Sequence, residues 1–136
     1  MASFQLPTTA VCLTDPRSVS GFGNAALLQG AMVYQNPTTK KFALARANDP
    51  ITSVLAGMLL NGSGADNSPI SILNGGIITG LTSIVIGEIY CLAPGTAGHI
   101  IAYSELVTGN YISIFGFGKT ITSIQMALIN TGLQKP

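Results

Sequence analysis

Thirteen residues, GEIYCLAPGTAGH from Gly87 to His99, bring together a glutamate, a cysteine and the single histidine of the chain. These residue types can do chemistry. Glu88 could serve as a general acid or base, Cys91 as a nucleophile or metal ligand, and His99 as the base that activates a thiol. Their spacing favours a plainer reading. On a strand, Glu88 and Cys91 are three apart and point to opposite faces. His99 lies beyond a Pro94-Gly95 turn, which could fold it back opposite Cys91. With one histidine, a zinc site would need carboxylates or a second chain. A cysteine hydrolase would also need an orienting acid and an oxyanion hole, and the sequence signals neither. Cysteine is commonly a small buried residue. The expectation is a strand and turn with no catalytic residue, no metal ligand and no cofactor.

Other candidates fail on pattern. GFGNAALLQG, from Gly21, has only a GxG and lacks the third glycine and preceding strand of a dinucleotide site. GFGKT, from Gly116, resembles the end of a phosphate loop, but the position of that loop's first glycine holds Ser113. Asp15, Asp49, Asp66, Glu88 and Glu105 form no acid–base spacing, and most flank turns, where carboxylates cap backbone amides. Lys40, Lys41 and Arg46 form the one basic cluster, which reads as the tip of a hairpin. Tyr90, Tyr103 and Tyr111 read as sheet and interface residues rather than a sugar-stacking surface.

The elements that must position these residues follow from composition and periodicity. Only 8% of the residues are charged, where soluble domains average roughly 25%. The formal net charge of +1 provides no steering field for nucleic acid. A surface so poor in charge implies either a membrane or extensive contact with other subunits. The membrane alternative rests on Ile70 to Ala93, an apolar run whose one charge is Glu88. It contains Asn74, four glycines and several Ser and Thr, and no Lys or Arg cluster flanks it. Short buried strands explain it better. The opening MASFQLPTTAVCLTDPRS lacks the basic start and long apolar core of a signal peptide. Cys12 and Cys91 have no metal-type spacing, and both are expected reduced. A disulfide between them stays open.

Period-two alternation dominates. In YISIFGFG, from Tyr111, the pattern puts Tyr111, Ser113, Phe115 and Phe117 on one face and Ile112 and Ile114 on the other. Ile124, Met126 and Leu128 form another apolar face. FALARA, from Phe42, and SVLAGMLL, from Ser53, read as further strands, and NAALLQ, from Asn24, as a short helix. Turns are expected at Gln35-Asn36-Pro37, Asn48-Asp49-Pro50, around Ser63, at Asn74-Gly75-Gly76 and at Pro94-Gly95.

An internal repeat organises these strands. GAMVYQNPTTKKFALARA, from Gly30, parallels GEIYCLAPGTAGHIIAYS, from Gly87. ISILNGGIITGL, from Ile70, parallels TSIQMALINTGL, from Thr122, with six of twelve positions identical. The expected fold is all-β, a compact barrel or sandwich of two similar sets of about four strands. The halves run approximately over 30–81 and 87–133 within a β-domain of residues 30–136. Residues 1–29 are expected to form an extended N-terminal arm, with an early apolar group, Phe4 and Leu6, that packs against the domain or a neighbouring subunit.

The run GEIYCLAPGTAGHI, followed by GNYISIFGFGKTITSIQMALINTG, resembles a recurring pattern of tailed-phage structural proteins. GAMVYQ and FALARA match its upstream strands. The family is that of the head-decoration, or capsid cement, proteins and related capsid-fibre and tail-fibre modules, and the resemblance covers roughly residues 30 to 133. Two departures are Cys91, where such strands often carry an aromatic or aliphatic residue, and Gly118, where alanine is common. The resemblance implies a non-enzymatic virion protein on the outer capsid surface, made in the host cytoplasm and acting as a homo-oligomer, expected as a trimer. It implies the major capsid protein as partner, with no nucleic acid and no membrane. The alternative is a receptor- or glycan-binding module of a tail fibre. Phe4, Leu6, Lys40, Lys41 and Tyr103 are the expected interface residues.

Overall fold

The computed structural model describes residues 13–24, 27–61 and 66–136, with side chains from Ser18 onward. The chain is almost entirely β. Its strands are β1 (Leu13–Phe22), β2 (Met32–Gln35), β3 (Phe42–Leu44), β4 (Gly57–Leu59), β5 (Pro69–Ile78), β6 (Ile89–Leu92), β7 (Ile100–Ala102), β8 (Tyr111–Thr120) and β9 (Ser123–Gln134). One 3-10 turn, Tyr103–Glu105, follows β7. All strand pairs are antiparallel, in the order β3-β2-β4-β5-β9-β8-β6-β7, with β1 added on β5. Read inward from its two ends, the path shows two similar sets of four strands, β3-β2-β4-β5 and β7-β6-β8-β9, joined where β5 meets β9.

β5 is the hinge of this arrangement. β1 pairs along one edge, from Leu13↔Ile78 to Phe22↔Pro69. The other edge is shared between β4, at Leu73 and Ile72, and β9, at Ile77 and Ile78. Alternation then assigns the side chains. Met32, Met58 and Leu73 point into a large core with Ile78, Tyr90, Leu92, Ile100, Phe115, Ile124 and Met126. Their neighbours Val33, Leu59 and Ile72 point the other way, into a small core with Leu27, Phe42 and Ile70. At these positions the wall β2-β4-β5 is therefore buried on both sides.

The sheet curls around both cores. A parallel bridge between Gly23 and Phe42 brings the end of β1 against β3 and encloses the small core. Around the large core, Gly98 N–H donates to Ala45 O at 2.8 Å, and Met32 N–H to Gly98 O at 2.9 Å. These bonds tie the β6–β7 hairpin to the first set.

Four expectations change here. Asn74-Gly75-Gly76 is not a turn but lies inside β5, where the register to β1 slips beside Asn74. The slip lets Leu73 and Ile78, five apart, face the same core, and Gly76 supports it with φ of 112°. The segment expected as a helix from Asn24 is not one. Asn24 N–H donates to Phe42 O and Leu27 plugs the small core, while residues 25 and 26 lie outside the described part. The expected strand from Ser53 shrinks to Gly57–Leu59, because Asp49 Oδ1 accepts from Ile51 and Thr52 N–H and winds residues 49–53 into turns. In β8, a bulge at Phe115 breaks the alternation, so Phe115 and Gly116 are both buried and Phe117 is exposed. The apolar run Ile70 to Ala93 is β5, a loop and the start of β6. Among the described residues no helix is long and apolar enough to cross a membrane. The turn expected around Ser63, the first twelve residues of the expected arm and its Phe4 and Leu6 lie outside the described residues. The remainder of the arm contributes β1.

Gly57 shows how tightly the shared wall is built. Its φ is 152°, and a Cβ there would collide with the Leu73 carbonyl oxygen across the ladder. Gly57→Ala is expected to destabilise the chain by about 2 kcal/mol in urea unfolding. Gly95→Ala, at a position with open space, should stay within about 0.5 kcal/mol of the parent.

Candidate functional site

Cys91 sits in the middle of β6, opposite Ile101 on β7 and Ile114 on β8. Its neighbours Tyr90 and Leu92 face the large core, so Cys91 is on the sheet's outer side, yet it is fully buried. Burial pushes its thiol up to about 12; Lys135 pulls the value down and Glu88 adds to the rise. A thiol held neutral in this way is a poor nucleophile and a poor metal ligand at pH 7.

Ala93 N–H donates to His99 O at 3.0 Å, which extends the β6–β7 ladder by one pair. That register puts His99 on the same side as Cys91, on the diagonal, where Cα atoms are about 7–8 Å apart. The hairpin does bring the two together on one face. Nδ1 of His99 is buried and makes no hydrogen bond, so no carboxylate orients the imidazole. Glu88 is drawn elsewhere: its Oε1 accepts from Ser104 N–H at 3.4 Å, and its carbonyl accepts from Gly118 N–H at 2.9 Å. Among the described residues, no group of three or more His, Cys, Asp or Glu could hold a metal ion.

The glycine-rich stretch Gly116–Thr120 belongs to β8. A Cβ on Gly116 would strike the Gln125 carbonyl, and one on Gly118 the Val85 carbonyl. These glycines permit close backbone approach between strands and leave no cradle for a phosphate.

The basic residues have structural partners. Arg46 Nε donates to Pro94 O at 2.7 Å and its Nη2 to Gly95 O at 3.0 Å. One guanidinium thus clamps the β6–β7 turn onto the segment after β3. Lys41 pairs with Asp66 at 3.1 Å on the surface. Lys40 is exposed at the hairpin tip with φ of 64°, beside Asn36, whose Oδ1 accepts from Thr38 and Thr39 N–H. Tyr103 lies at the 3-10 turn, with Lys135 Nζ 4.5 Å above its ring. That ammonium also donates to Tyr103 O at 2.9 Å and Leu106 O at 2.7 Å. The expected interface residues Lys40, Lys41 and Tyr103 are therefore spread over separate places in the fold. Lys135 and Tyr103 are 32 residues apart, and no local pattern announces their contact. The same holds for Asn130, whose amide bonds both Leu55 N–H and Leu55 O, at 2.8 and 3.0 Å.

An open groove of about 330 Å³ is lined by Ser20, Phe22, Asn61, Pro69, Ile70 and Ser71 beside Gly21. Phe22 offers an exposed aromatic face. Asn61 is engaged with the backbone: Oδ1 accepts from Ser71 N–H at 2.6 Å, and Nδ2 donates to Pro69 O at 3.4 Å.

No protein-family model and no curated protein matches the chain.

Two measurements probe this region. The folded thiol of Cys91 titrates above the unfolded one, whose ordinary value is 9.0. Between pH 9 and about 12 the unfolded chain therefore loses a proton that the folded chain keeps, and stability falls as pH rises. Urea unfolding across pH 8 to 10.5 is expected to show a steeper decline for the parent than for Cys91→Ala. Arg46→Met retains the aliphatic stem and loses both bonds to the turn. Thermal unfolding should show a loss of about 2 kcal/mol.

Proposed function

We propose that the chain is a non-enzymatic virion structural protein that binds the outer surface of a phage capsid and stabilises contacts between major coat subunits. It acts as a homo-oligomer, a trimer on the resemblance described above. The observation that carries this reading is the surface. Fourteen large apolar side chains are exposed among the described residues, on a chain with only 8% charged residues. Scattered apolar residues are ordinary on a monomer, but a surface this apolar and this poor in charge suits permanent contact with other subunits. A trimer on a local three-fold would add avidity without any strong single contact. The residue pattern from Gly30 to Leu133 supplies the capsid as the partner.

The groove beside Phe22 favours a second reading, a receptor- or glycan-binding module of a tail fibre. An aromatic face beside the hydroxyls of Ser20 and Ser71 is a plausible footing for a sugar ring.

Light scattering on the purified chain, together with electron microscopy of virions, tests the leading reading. The expected result is an oligomer in solution and regular density on the capsid exterior. A monomeric chain absent from particles overturns it. Binding on a glycan array that is lost in Phe22→Ala would favour the second reading instead.

A further inference from the structure

β7 and β8 run parallel, because β6 lies between them and pairs antiparallel with both. β7 ends at Ala102, opposite Tyr90 near the start of β6. β8 starts beside the other end of β6, where Tyr111 N–H donates to Ala47 O and Ala47 N–H to Ala93 O. Residues 103–110 therefore have to return along β6 and cross it on one face. The inner face is filled by the large core, and Leu106, although only 3% exposed, is not part of that core. Cys91 is not part of it either and is fully buried on the outer side. The crossover thus passes over the outer side of β6 and buries Leu106 there, while its neighbour Val107 is 63% exposed.

The two ends of this crossover are held differently. Its far end is zipped to the end of β9. Gly109 N–H donates to Lys135 O and Lys135 N–H to Asn110 O, both at 2.8 Å. Gln134 Nε2 adds a bond to Gly109 O at 2.8 Å, and Thr108 Oγ1 one to Pro136 O at 3.0 Å. The near part, residues 103–107, belongs to no strand. Lys135 reaches it with one ammonium, which donates to Tyr103 O at 2.9 Å and Leu106 O at 2.7 Å and stands 4.5 Å from the centre of the Tyr103 ring. The bond from Ser104 N–H to Glu88 Oε1 is long, at 3.4 Å. Gly109, with φ of 93° and open space at its Cβ position, lies where the two parts meet and can absorb a hinge.

We propose that residues 103–107 form a hinged lid over the outer side of β6, that the Lys135 ammonium is its latch, and that releasing the latch bares Cys91 while the sheet stays folded. A segment without ladder bonds opens at a lower free-energy cost than the strands beneath it. The latch is strong for a single side chain, because both of its bonds are made by a charged donor. When the ammonium leaves, the Tyr103 and Leu106 carbonyls lose it together. The thiol is open to alkylating or disulfide-forming reagents only in the unlatched state, so the end of β9 controls a group in the middle of β6. The inference goes beyond the reading above and does not depend on the capsid or on the oligomeric state.

Alkylation of the full chain by iodoacetamide, read at Cys91 by peptide mass spectrometry, tests it. Lys135→Met is the unlatched variant, and Lys119→Met, at an exposed position on β8, is the control. The parent and the control should react slowly. Lys135→Met should react about tenfold faster, the size expected for losing a hydrogen bond from a charged donor, with unchanged β-sheet circular dichroism. Its rate should stay nearly flat in urea below the unfolding transition, because opening a short lid exposes little surface. An effect through charge would have the opposite sign, since Lys135 pulls the thiol's pKa down and its loss disfavours the reactive thiolate. Three results would overturn the proposal: a Lys135→Met rate equal to the parent's, a rate that climbs with urea as steeply as global unfolding, or equal acceleration in Lys119→Met. None of these outcomes bears on capsid binding, which the particle microscopy above decides separately.

Discussion

Burial of the β2-β4-β5 wall on both faces is the constraint on which the rest of the structure depends. Met32, Met58 and Leu73 fill one core and Val33, Leu59 and Ile72 the other, so at these positions the strands have no solvent side. A residue slipped in register would exchange the two sets of side chains. Gly57 shows how close the backbones come, since its Cβ position is taken by the Leu73 carbonyl. From this wall the chain curls outward in two directions. β1 returns to β3 around the small core, and β9, β8, β6 and β7 sweep around the large one.

What ties the far end of the sweep back to the wall is polar and specific. Arg46 grips the Pro94-Gly95 turn, Gly98 bonds both Ala45 and Met32, and Asn130 reproduces a backbone partner for Leu55. Buried Ser113 adds a hydroxyl bond to the Ser53 carbonyl. In a chain with so few charged side chains, these uncharged and single-guanidinium contacts join segments that are distant in sequence. Cys91 is held by burial, and Glu88 by bonds from the Ser104 and Gly118 N–H groups.

The likeness between the two sets ends at their outer sides. β1 and Leu27 cover the outer side of the first set, whereas among the described residues no strand covers the outer side of β6, β8 and β9.

Much of the architecture was legible along the chain. Alternating apolar residues, turn residues such as Asn36 and Asp49, and the paired patterns from Gly30 and Gly87 determine an all-β fold of two similar strand sets, because these signals act between near neighbours. Tertiary structure alone decided the rest. Asn74-Gly75-Gly76 has the composition of a turn, but β1 on one edge, with β4 and then β9 on the other, holds it inside a strand as a bulge. NAALLQ has helical residues, but the small core captures Leu27 and the β3 edge captures Asn24. Cys91 and His99 were visible as a pair of reactive types. That the thiol is neutral and the imidazole nitrogen unbonded follows from what packs around them. Composition and period are local properties of a chain, whereas burial and protonation depend on which distant segments arrive beside each residue.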